Sequence, residues 1–304
     1  MLWSSSEASS TVTAACPWCG AEVTAPELDG FSVTRCGTCA TAITWPIPTD
    51  PELDAAYGEW YRPQEGRFSG PGDRLLRWSR STLARRLDKA APPGRILDVG
   101  AGDGTLVRAL RARGRDALGL ERAGSGPYVR SGEVGEVGGD WAGIVFWHSL
   151  EHLRKPAATL SDAVALLQPR GLLVVAVPNY GSLQAQLFRN RWFALDLPRH
   201  LVHLDAPALV SGLEELGLRV HRESYVRGGQ VFFGWVHGLV GCLPGHPDFY
   251  AAVRRPSARD EALNRRARIL AMLAALCVSP VALVAAGIEV ALRRGGTLYV
   301  EAQR

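Results

Sequence analysis

The residues most suited to chemistry in this sequence lie in a short glycine-rich run. Residues 95–99, with the apolar Ile96, Leu97 and Val99, are typical of a buried strand, and Thr105–Arg113 is typical of a helix. Asp98 lies at the end of the strand, where its carboxylate would repel a pyrophosphate but suits a ligand that carries an ammonium and a sulfonium. In the turn that follows, a ligand can approach the backbone N–H groups. The residues of this predicted turn are Gly100, Ala101, Gly102 and Gly104.

A second acidic residue supports a nucleoside ligand at this turn. Glu121 ends the next predicted strand, Ala117–Glu121, where a carboxylate can accept both ribose hydroxyls. The G-x-G-x-G spacing differs from the G-x-G-x-x-G of dinucleotide-binding folds. The segment resembles the S-adenosylmethionine site of class I methyltransferases. We place Arg122 and His148 in this predicted cofactor site as well.

Two further segments resemble one branch of these methyltransferases. Leu150-Glu151-His152 follows the predicted strand Gly143–Trp147 and resembles the LEH signature of the ubiquinone-biosynthesis-like branch. The segment 196–203 resembles a D-x-P-R-H-L-x-H segment of the same branch, found in enzymes of envelope glycan or secondary metabolism. The resemblance covers residues 73–223 and the last strand.

Three histidines in these segments are candidate proton acceptors, because an imidazole titrates near neutral pH. They are His152, His200 and His203. Structural roles are the alternative: His152 bonds to Glu151, and His203 caps the following helix. Arg199 either binds an anionic substrate group or pairs with Asp196.

Four of the six cysteines have the spacing of a metal site. Cys16, Cys19, Cys36 and Cys39 form C-x2-C-x16-C-x2-C, which predicts a structural zinc ribbon in preference to disulfides or chance pairing. The intervening Ala21–Arg35 is predicted to form a hairpin around Asp29-Gly30. The other two cysteines, Cys242 and Cys277, are expected to be buried small hydrophobes.

The composition excludes some functions. The 304 residues carry a net charge of +4 with no long basic run, so no nucleic-acid partner is expected. No charged start followed by an apolar stretch occurs at the N-terminus, so we expect a cytoplasmic protein.

The pattern of elements predicts an α/β fold with a doubly wound, seven-stranded, mostly parallel sheet. Residues 1–45 form the ribbon, 46–72 a linker, and 73–304 the methyltransferase domain with an apolar helical insertion at 227–294. The domain begins with an amphipathic helix, Asp73–Lys89, whose apolar side carries Leu75, Leu76, Leu83 and Leu87. A weak third strand is predicted near Glu133–Val137, and residues 295–302 form an antiparallel last strand.

Within the insertion, Ile269–Leu292 is apolar enough to span a membrane, but Ser279-Pro280 interrupts it. Because the insertion leaves and re-enters one sheet, both of its ends lie on the same side, which excludes a single crossing. Arginines flank the segment, and Val231–Leu243 is expected to pack against it. We expect peripheral membrane contact through 231–292. A soluble lid or a dimer interface is the alternative.

The sequence therefore predicts an S-adenosylmethionine-dependent methyltransferase, with O-methylation of a small or lipid-linked metabolite, such as a glycan or secondary metabolite, as the leading function. No [D/N]-P-P-[Y/F] and no Pro-Cys follows the strand Gly143–Trp147, which argues against nucleobase acceptors. The alternatives are a sugar C-methyltransferase, an rRNA methyltransferase and a non-catalytic cofactor-binding partner protein.

Overall fold

A computed structural model describes residues 10–58, 68, 71–122, 126–226, 229–258 and 263–304. The strands and helices are, in chain order, β1 Thr11–Ala15, β2 Glu22–Pro26, β3 Ser32–Arg35, β4 Ala42–Trp45, α1 Asp50–Ala56, α2 Pro71–Ala90, β5 Ile96–Val99, α3 Thr105–Arg111, β6 Ala117–Leu120, β7 Val129–Arg130, β8 Trp141–Trp147, α4 Pro156–Leu166, β9 Leu167–Pro178, α5 Leu183–Phe188, β10 Val202–His203, α6 Ala206–Glu215, β11 Arg219–Ser224, α7 Gln230–Gly241, α8 Phe249–Val253, α9 Arg265–Ala291 and β12 Thr297–Gln303.

The core of the fold is a seven-stranded sheet with the order β11-β12-β9-β8-β5-β6-β7. Strands β5, β6, β7, β8 and β9 pair in parallel, whereas β12 runs antiparallel to both β9 and β11. The predicted seven-stranded sheet and its antiparallel last strand are confirmed. Because β5 and β8 lie at the centre and are buried along their length, the residues that follow them share one edge of the sheet.

One local prediction, the strand near Glu133–Val137, is wrong. Val134–Glu136 forms a single 3-10 turn in place of a strand, because the Glu136 carboxylate caps the N–H of Glu133. The third strand is β7 instead, which pairs with β6. In the predicted linker, α1 forms a helix because Thr49 and Glu52 cap its first turn reciprocally.

Helix α2 covers one face of the sheet only with its C-terminal half. Leu83 and Leu87 are buried as predicted, whereas Leu75 and Leu76 are exposed, contrary to the prediction of one continuous apolar side. Arg86 on the same helix donates to both carboxylate oxygens of Glu301 in β12. This ion pair fixes α2 to the last strand.

The N-terminal residues form two short hairpins. In each hairpin a cysteine pair supplies the turn: β1 pairs with β2 around Cys16–Cys19, and β3 pairs with β4 around Cys36–Cys39. The predicted hairpin Ala21–Arg35 is therefore wrong, since each C-x2-C already closes a hairpin of its own. We call the two hairpins, residues 11–45, the cysteine module. Strand β4 also pairs with β10, which joins the cysteine module to the segment after β9.

The insertion before β12 contains α7, α8 and α9, and α7 packs against α9 as predicted. Helix α9 is 27 residues long and continues through Pro280. It is the one helix, within the described residues, that is long and apolar enough to cross a membrane by length and composition. Cys242 and Cys277 are exposed, so their predicted burial is wrong: both lie on outward-facing positions of the helical insertion.

Buried Glu289 ties α9 to the rest of the insertion and to α5. Its carboxylate accepts hydrogen bonds from Gln184 N at 3.0 Å, Gln184 Nε2 at 2.7 Å and Trp235 Nε1 at 2.8 Å. Burying a carboxylate is costly unless it is hydrogen-bonded, and these three donors satisfy it. The contact anchors the helical insertion to the residues that follow β9.

Candidate active site

The predicted glycine turn lies where β5 meets α3. Asp98 is buried in β5, and this burial raises the pKa of its carboxyl to about 7. Gly100 has a φ of +79°, and a Cβ at this position would collide with the Cβ of Ser149. The N–H groups of Gly100 and Ala101 both donate to Leu120 O at 2.8 Å. The turn thus depends on a residue without a side chain.

Glu121 follows β6 and lies against this turn. Its carboxylate accepts a hydrogen bond from Gly102 N at 2.6 Å and another from Arg122 N at 3.1 Å. Gly104, with a φ of +71°, leads into α3. The guanidinium of Arg122 binds Asp54 in α1 at 2.5 Å. The structure therefore brings Asp98, the glycines and Glu121 together, and joins the Arg122 side chain to α1.

His148 and Ser149 follow β8 at the same edge of the sheet. The Ser149 hydroxyl donates to Val99 O at 2.5 Å, which holds this loop against the end of β5. His148 has a φ of +52°, and its Nε2 lies 3.1 Å from Gln230 Oε1 at the start of α7. Thr297 donates to the same oxygen at 3.1 Å. His148 thus links the glycine turn to the helical insertion.

Glu151, His152 and His200 form a cluster beside this loop. One carboxylate oxygen and one nitrogen from each ring lie within 4.8 Å of one another, and the two rings are 4.6 Å apart at their centroids. Glu151 and His200 are buried. The structure therefore brings together two of the three predicted proton acceptors. We call these residues the Glu151 cluster.

The Glu151 cluster shifts the protonation of its members. Burial opposes ionisation of Glu151, but His148, His152 and His200 together lower its pKa to about 2. Burial and the neighbouring His200 lower the pKa of His152 to about 4, against the opposite effect of Glu151. At neutral pH, Glu151 is therefore ionised and His152 is neutral, and a neutral imidazole can accept a proton.

His203, the third predicted acceptor, lies apart from the cluster in β10. Its Nε2 is 3.0 Å from the hydroxyl of Thr44, which itself donates to His200 O. Burial lowers the pKa of His203 to about 3, so the ring is neutral. The following helix α6 is capped by Asp205 and not by His203, since the Asp205 carboxylate accepts from Ala208 N at 3.0 Å.

The segment that carries His200 is fixed by Arg199. Its guanidinium forms a bidentate ion pair with Asp196, which is one of its two predicted roles, and donates to Ala56 O at 2.8 Å. The neighbouring Arg199 O receives the Nδ1–H of His152 at 3.0 Å. These contacts join α1, the histidine segment and the loop after β8 into one wall of the site.

The four N-terminal cysteines converge. Their sulfur atoms lie within 4.8 Å of one another, with Cys16 Sγ 3.8 Å from Cys39 Sγ and Cys19 Sγ 3.6 Å from Cys36 Sγ. Four thiolates around a tetrahedral ion with bonds of about 2.3 Å are separated by about 3.8 Å. The donor set and its spacing therefore fit a tetrahedral metal ion.

Sequence analysis misses three residues that shape the site. It indicates Glu151 only as a partner of His152, although the L-E-H segment is a usable signal for a role of its own. The contacts of Thr44 and Gln230 join distant parts of the chain, and nothing in their local sequence indicates them.

The comparisons with known proteins agree with this geometry. Residues 73–223 match the family model described as a methyltransferase domain. This part of the chain is therefore a methyltransferase domain, and the enzyme class is that of S-adenosylmethionine-dependent methyltransferases. No curated protein matches the sequence.

Solved structures with a similar fold share little sequence with this chain. A methyltransferase from Archaeoglobus fulgidus is 16% identical over 74% of this chain and 95% of its own, with a TM-score of 0.45. The magnesium protoporphyrin IX methyltransferase of Synechocystis PCC 6803 is 14% identical over 56% and 86%, with a TM-score of 0.42. The 1,6-didemethyltoxoflavin-N1-methyltransferase of Burkholderia thailandensis is 16% identical over 65% and 93%, with a TM-score of 0.43. Similarity at this level says nothing about the methyl acceptor.

Proposed function

We propose that this enzyme methylates a hydroxyl oxygen of a small or lipid-linked metabolite, such as a glycan or a secondary metabolite. The observation that carries the proposal is the Glu151 cluster at the carboxyl edge of the sheet. Ser149, in the loop that carries Glu151 and His152, donates to Val99 O at the end of β5, which supports a proton acceptor near the predicted cofactor site. The L-E-H and D-x-P-R-H-L-x-H segments favour the ubiquinone-biosynthesis-like branch.

In the proposed cofactor site, the glycine turn and Glu121 hold S-adenosylmethionine. Glu121 exchanges its backbone donors for the ribose hydroxyls, and Asp98 faces the positively charged end of the ligand. Arg122 and His148 border this site. The role of the cofactor site is to align the methyl group with the acceptor, since methyl transfer is an in-line displacement.

The chemical step requires removal of one proton. The acceptor oxygen forms a bond to the methyl carbon, the carbon–sulfur bond breaks, and its electron pair stays on sulfur to give S-adenosylhomocysteine. The hydroxyl proton passes to His152 or His200. His203 is the third candidate, and it acts less directly because its Nε2 is engaged by Thr44.

The alternatives differ in the product. A sugar C-methyltransferase forms a carbon–carbon bond, an rRNA methyltransferase labels RNA, and a non-catalytic binding protein labels nothing. The test incubates the purified protein with S-adenosylmethionine that carries a 13C methyl group and with lipid, water-soluble or RNA extracts of the source cells. An O-methyl carbon signal in a small-molecule or lipid fraction is expected. A C-methyl signal, labelled RNA or no product contradicts O-methylation.

We further propose that Cys16, Cys19, Cys36 and Cys39 hold a structural zinc ion. Four sulfur donors at tetrahedral spacing support this assignment. All four positions are filled by protein ligands, so the ion has no open position for a water molecule. Its role is to stabilise the two hairpins and, through β4, the strand that carries His203.

A lipid-linked acceptor agrees with the outer surface of α9. We propose that a cytoplasmic enzyme docks this surface on an anionic membrane without crossing it. The helix is only 22% buried in its most apolar part. The exposed apolar side chains are Ile269, Leu270, Met272, Leu273, Leu276, Val281, Leu283, Val284 and Ile288. Arg265, Arg266 and Arg268 at one end supply charge complementary to anionic headgroups.

A further inference from the structure

The Glu151 carboxylate is buried without a hydrogen-bond donor among the described residues. Neither of its oxygens has a hydrogen-bond partner. Two imidazole nitrogens stand close but too far for a good hydrogen bond: His148 Nδ1 at 3.5 Å and His200 Nε2 at 3.9 Å from Oε1. An ionised carboxylate in this position is costly unless a cation compensates it.

The two histidines of the cluster are held in one tautomer by backbone carbonyls. His152 Nδ1 lies 3.0 Å from Arg199 O and 2.8 Å from the hydroxyl of Tyr57, and His200 Nδ1 lies 2.9 Å from Ala194 O. A carbonyl oxygen can only accept, so each Nδ1 carries the hydrogen. Nε2 is then the nitrogen of each ring that can offer a lone pair to a ligand.

A carboxylate without a hydrogen-bond donor among the described residues and two imidazole rings therefore lie together, with one carboxylate oxygen and one nitrogen of each ring within 4.8 Å of one another. We propose that Glu151, His152 and His200 bind one divalent transition-metal ion, distinct from the ion of the cysteine module. Two imidazoles and one carboxylate are donors that suit zinc, manganese and iron ions. The carbonyls that fix the Nδ1–H groups are the outer contacts typical of metal-binding histidines.

The geometry agrees with this assignment. Ligand atoms around one ion are separated by about 3–4 Å, and the three donors here lie within 4.8 Å, so a modest closure of the side chains completes the site. Asp196 Oδ2 lies 3.6 Å from His200 Nε2 and adds negative charge beside the ion, although its main partner is Arg199. The remaining coordination positions of the ion are open to water or to the acceptor.

The role of this ion rests on the proposed function. A bound cation coordinates the acceptor hydroxyl and lowers its pKa, so the proton leaves to solvent instead of passing to an imidazole. The oxygen then forms the bond to the methyl carbon, and the carbon–sulfur pair stays on sulfur. In this state His152 and His200 act as ligands, and the acceptor is an oxygen compound that can bind a metal.

The binding itself is tested with Mn²⁺ on the full chain that retains its zinc. Mn²⁺ prefers nitrogen and oxygen donors, so it does not compete for the four thiolates. Titration followed by electron paramagnetic resonance is expected to show one bound Mn²⁺ per chain. Glu151→Gln and His200→Gln are expected to weaken binding at least tenfold, whereas His246→Gln, at an exposed histidine outside the cluster, leaves it unchanged.

Two further measurements keep the outcome clear. S-adenosylhomocysteine binding by calorimetry checks that each variant folds, and pulsed resonance on the unmodified protein detects coupling of Mn²⁺ to imidazole nitrogen. Absence of that coupling, no Mn²⁺ binding, or unchanged binding in a folded Glu151→Gln variant overturns the site. The Mn²⁺ titration contains no methyl acceptor and does not measure methylation. Failure of metal binding and failure of O-methylation are therefore separate results.

Discussion

The hydroxyl of Thr44 lies 3.0 Å from Nε2 of His203, and the two residues belong to paired strands that are far apart in the sequence. Thr44 donates its own hydrogen to His200 O and accepts from His203. Its backbone N–H also donates to Leu201 O at 3.1 Å. The cysteine module is therefore part of the wall that positions the histidine segment.

Replacing Thr44 by valine removes the side-chain contacts and keeps the shape. We expect Thr44→Val to lower the free energy of unfolding by about 1–3 kcal/mol, because the buried His203 N–H loses its acceptor. Thermal or urea unfolding measures the change. Thr41→Val is the matched control: the buried Thr41 hydroxyl has no hydrogen-bond partner among the described residues, so its loss is expected to be neutral or stabilising. Equal destabilisation by both variants would contradict the role of Thr44.

Local sequence patterns predict much of the sheet but little of this wall. The glycine turn and the last strand follow from residues adjacent in the sequence. The contact between Thr44 and His200 joins residues 156 positions apart, and periodicity contains no information about such pairing. The exposure of Cys242 and Cys277 is not predictable for a related reason, since an apolar helical sequence does not reveal which of its faces is covered.

The cofactor site is tested at Glu121. Glu121→Ala removes the carboxylate that reaches both the glycine turn and the predicted ribose position. We expect weaker S-adenosylmethionine binding by one to two orders of magnitude, about 1.5–3 kcal/mol, as measured by calorimetry. Glu214→Ala, at an exposed position on α6, serves as control and keeps the original affinity. If the folded Glu121→Ala variant binds S-adenosylmethionine with unchanged affinity, the ribose does not bind at Glu121.

The cysteine module is tested by removing its metal. Elemental analysis is expected to find one zinc ion that resists dialysis, lost in Cys36→Ser but retained in Cys277→Ser, which changes an exposed cysteine outside the module. Because β4 pairs with β10, zinc loss is expected to increase hydrogen exchange in both strands. If zinc-free protein keeps β4 and β10 fully protected from hydrogen exchange, the structural role of zinc is refuted.

The burial of His203 predicts a dependence of stability on pH. The folded protein holds this ring neutral with a pKa of about 3, whereas the unfolded chain protonates it near pH 6.5. The unfolded state then binds more protons, so this contribution is present above pH 6.5 and is lost as the pH falls from about 6.5 towards 3. Burial and the neighbouring His200 favour the neutral form of His203, whereas Glu151 opposes them.

The measurement compares urea midpoints of the unmodified protein and His203→Gln at pH 7, 6 and 5. Glutamine can still donate to Thr44 but does not titrate, so the variant is expected to lose less stability as the pH falls. His246→Gln, which changes an exposed histidine, is expected to behave like the unmodified protein. Parallel curves for His203→Gln and the unmodified protein contradict the prediction.

The outer surface of α9 distinguishes a membrane-docking enzyme from one with a soluble lid or a dimer interface. At about 1.5 Å per residue, its 27 residues extend about 40 Å, and the helix lies against the short helix α7, which cannot span a bilayer. The outward side chains of Leu276 and Leu283, 72% and 65% exposed, belong to the face predicted to enter the headgroup region.

We expect the protein to float with vesicles that contain phosphatidylglycerol, more weakly at high salt, and hardly at all with phosphatidylcholine alone. Leu276→Glu combined with Leu283→Glu should abolish flotation, whereas Leu28→Glu, at an exposed leucine of the cysteine module, should not. Protein that stays unbound with anionic vesicles, or a dimer that the double variant dissociates, shows that α9 serves as a lid or an interface between copies of the chain.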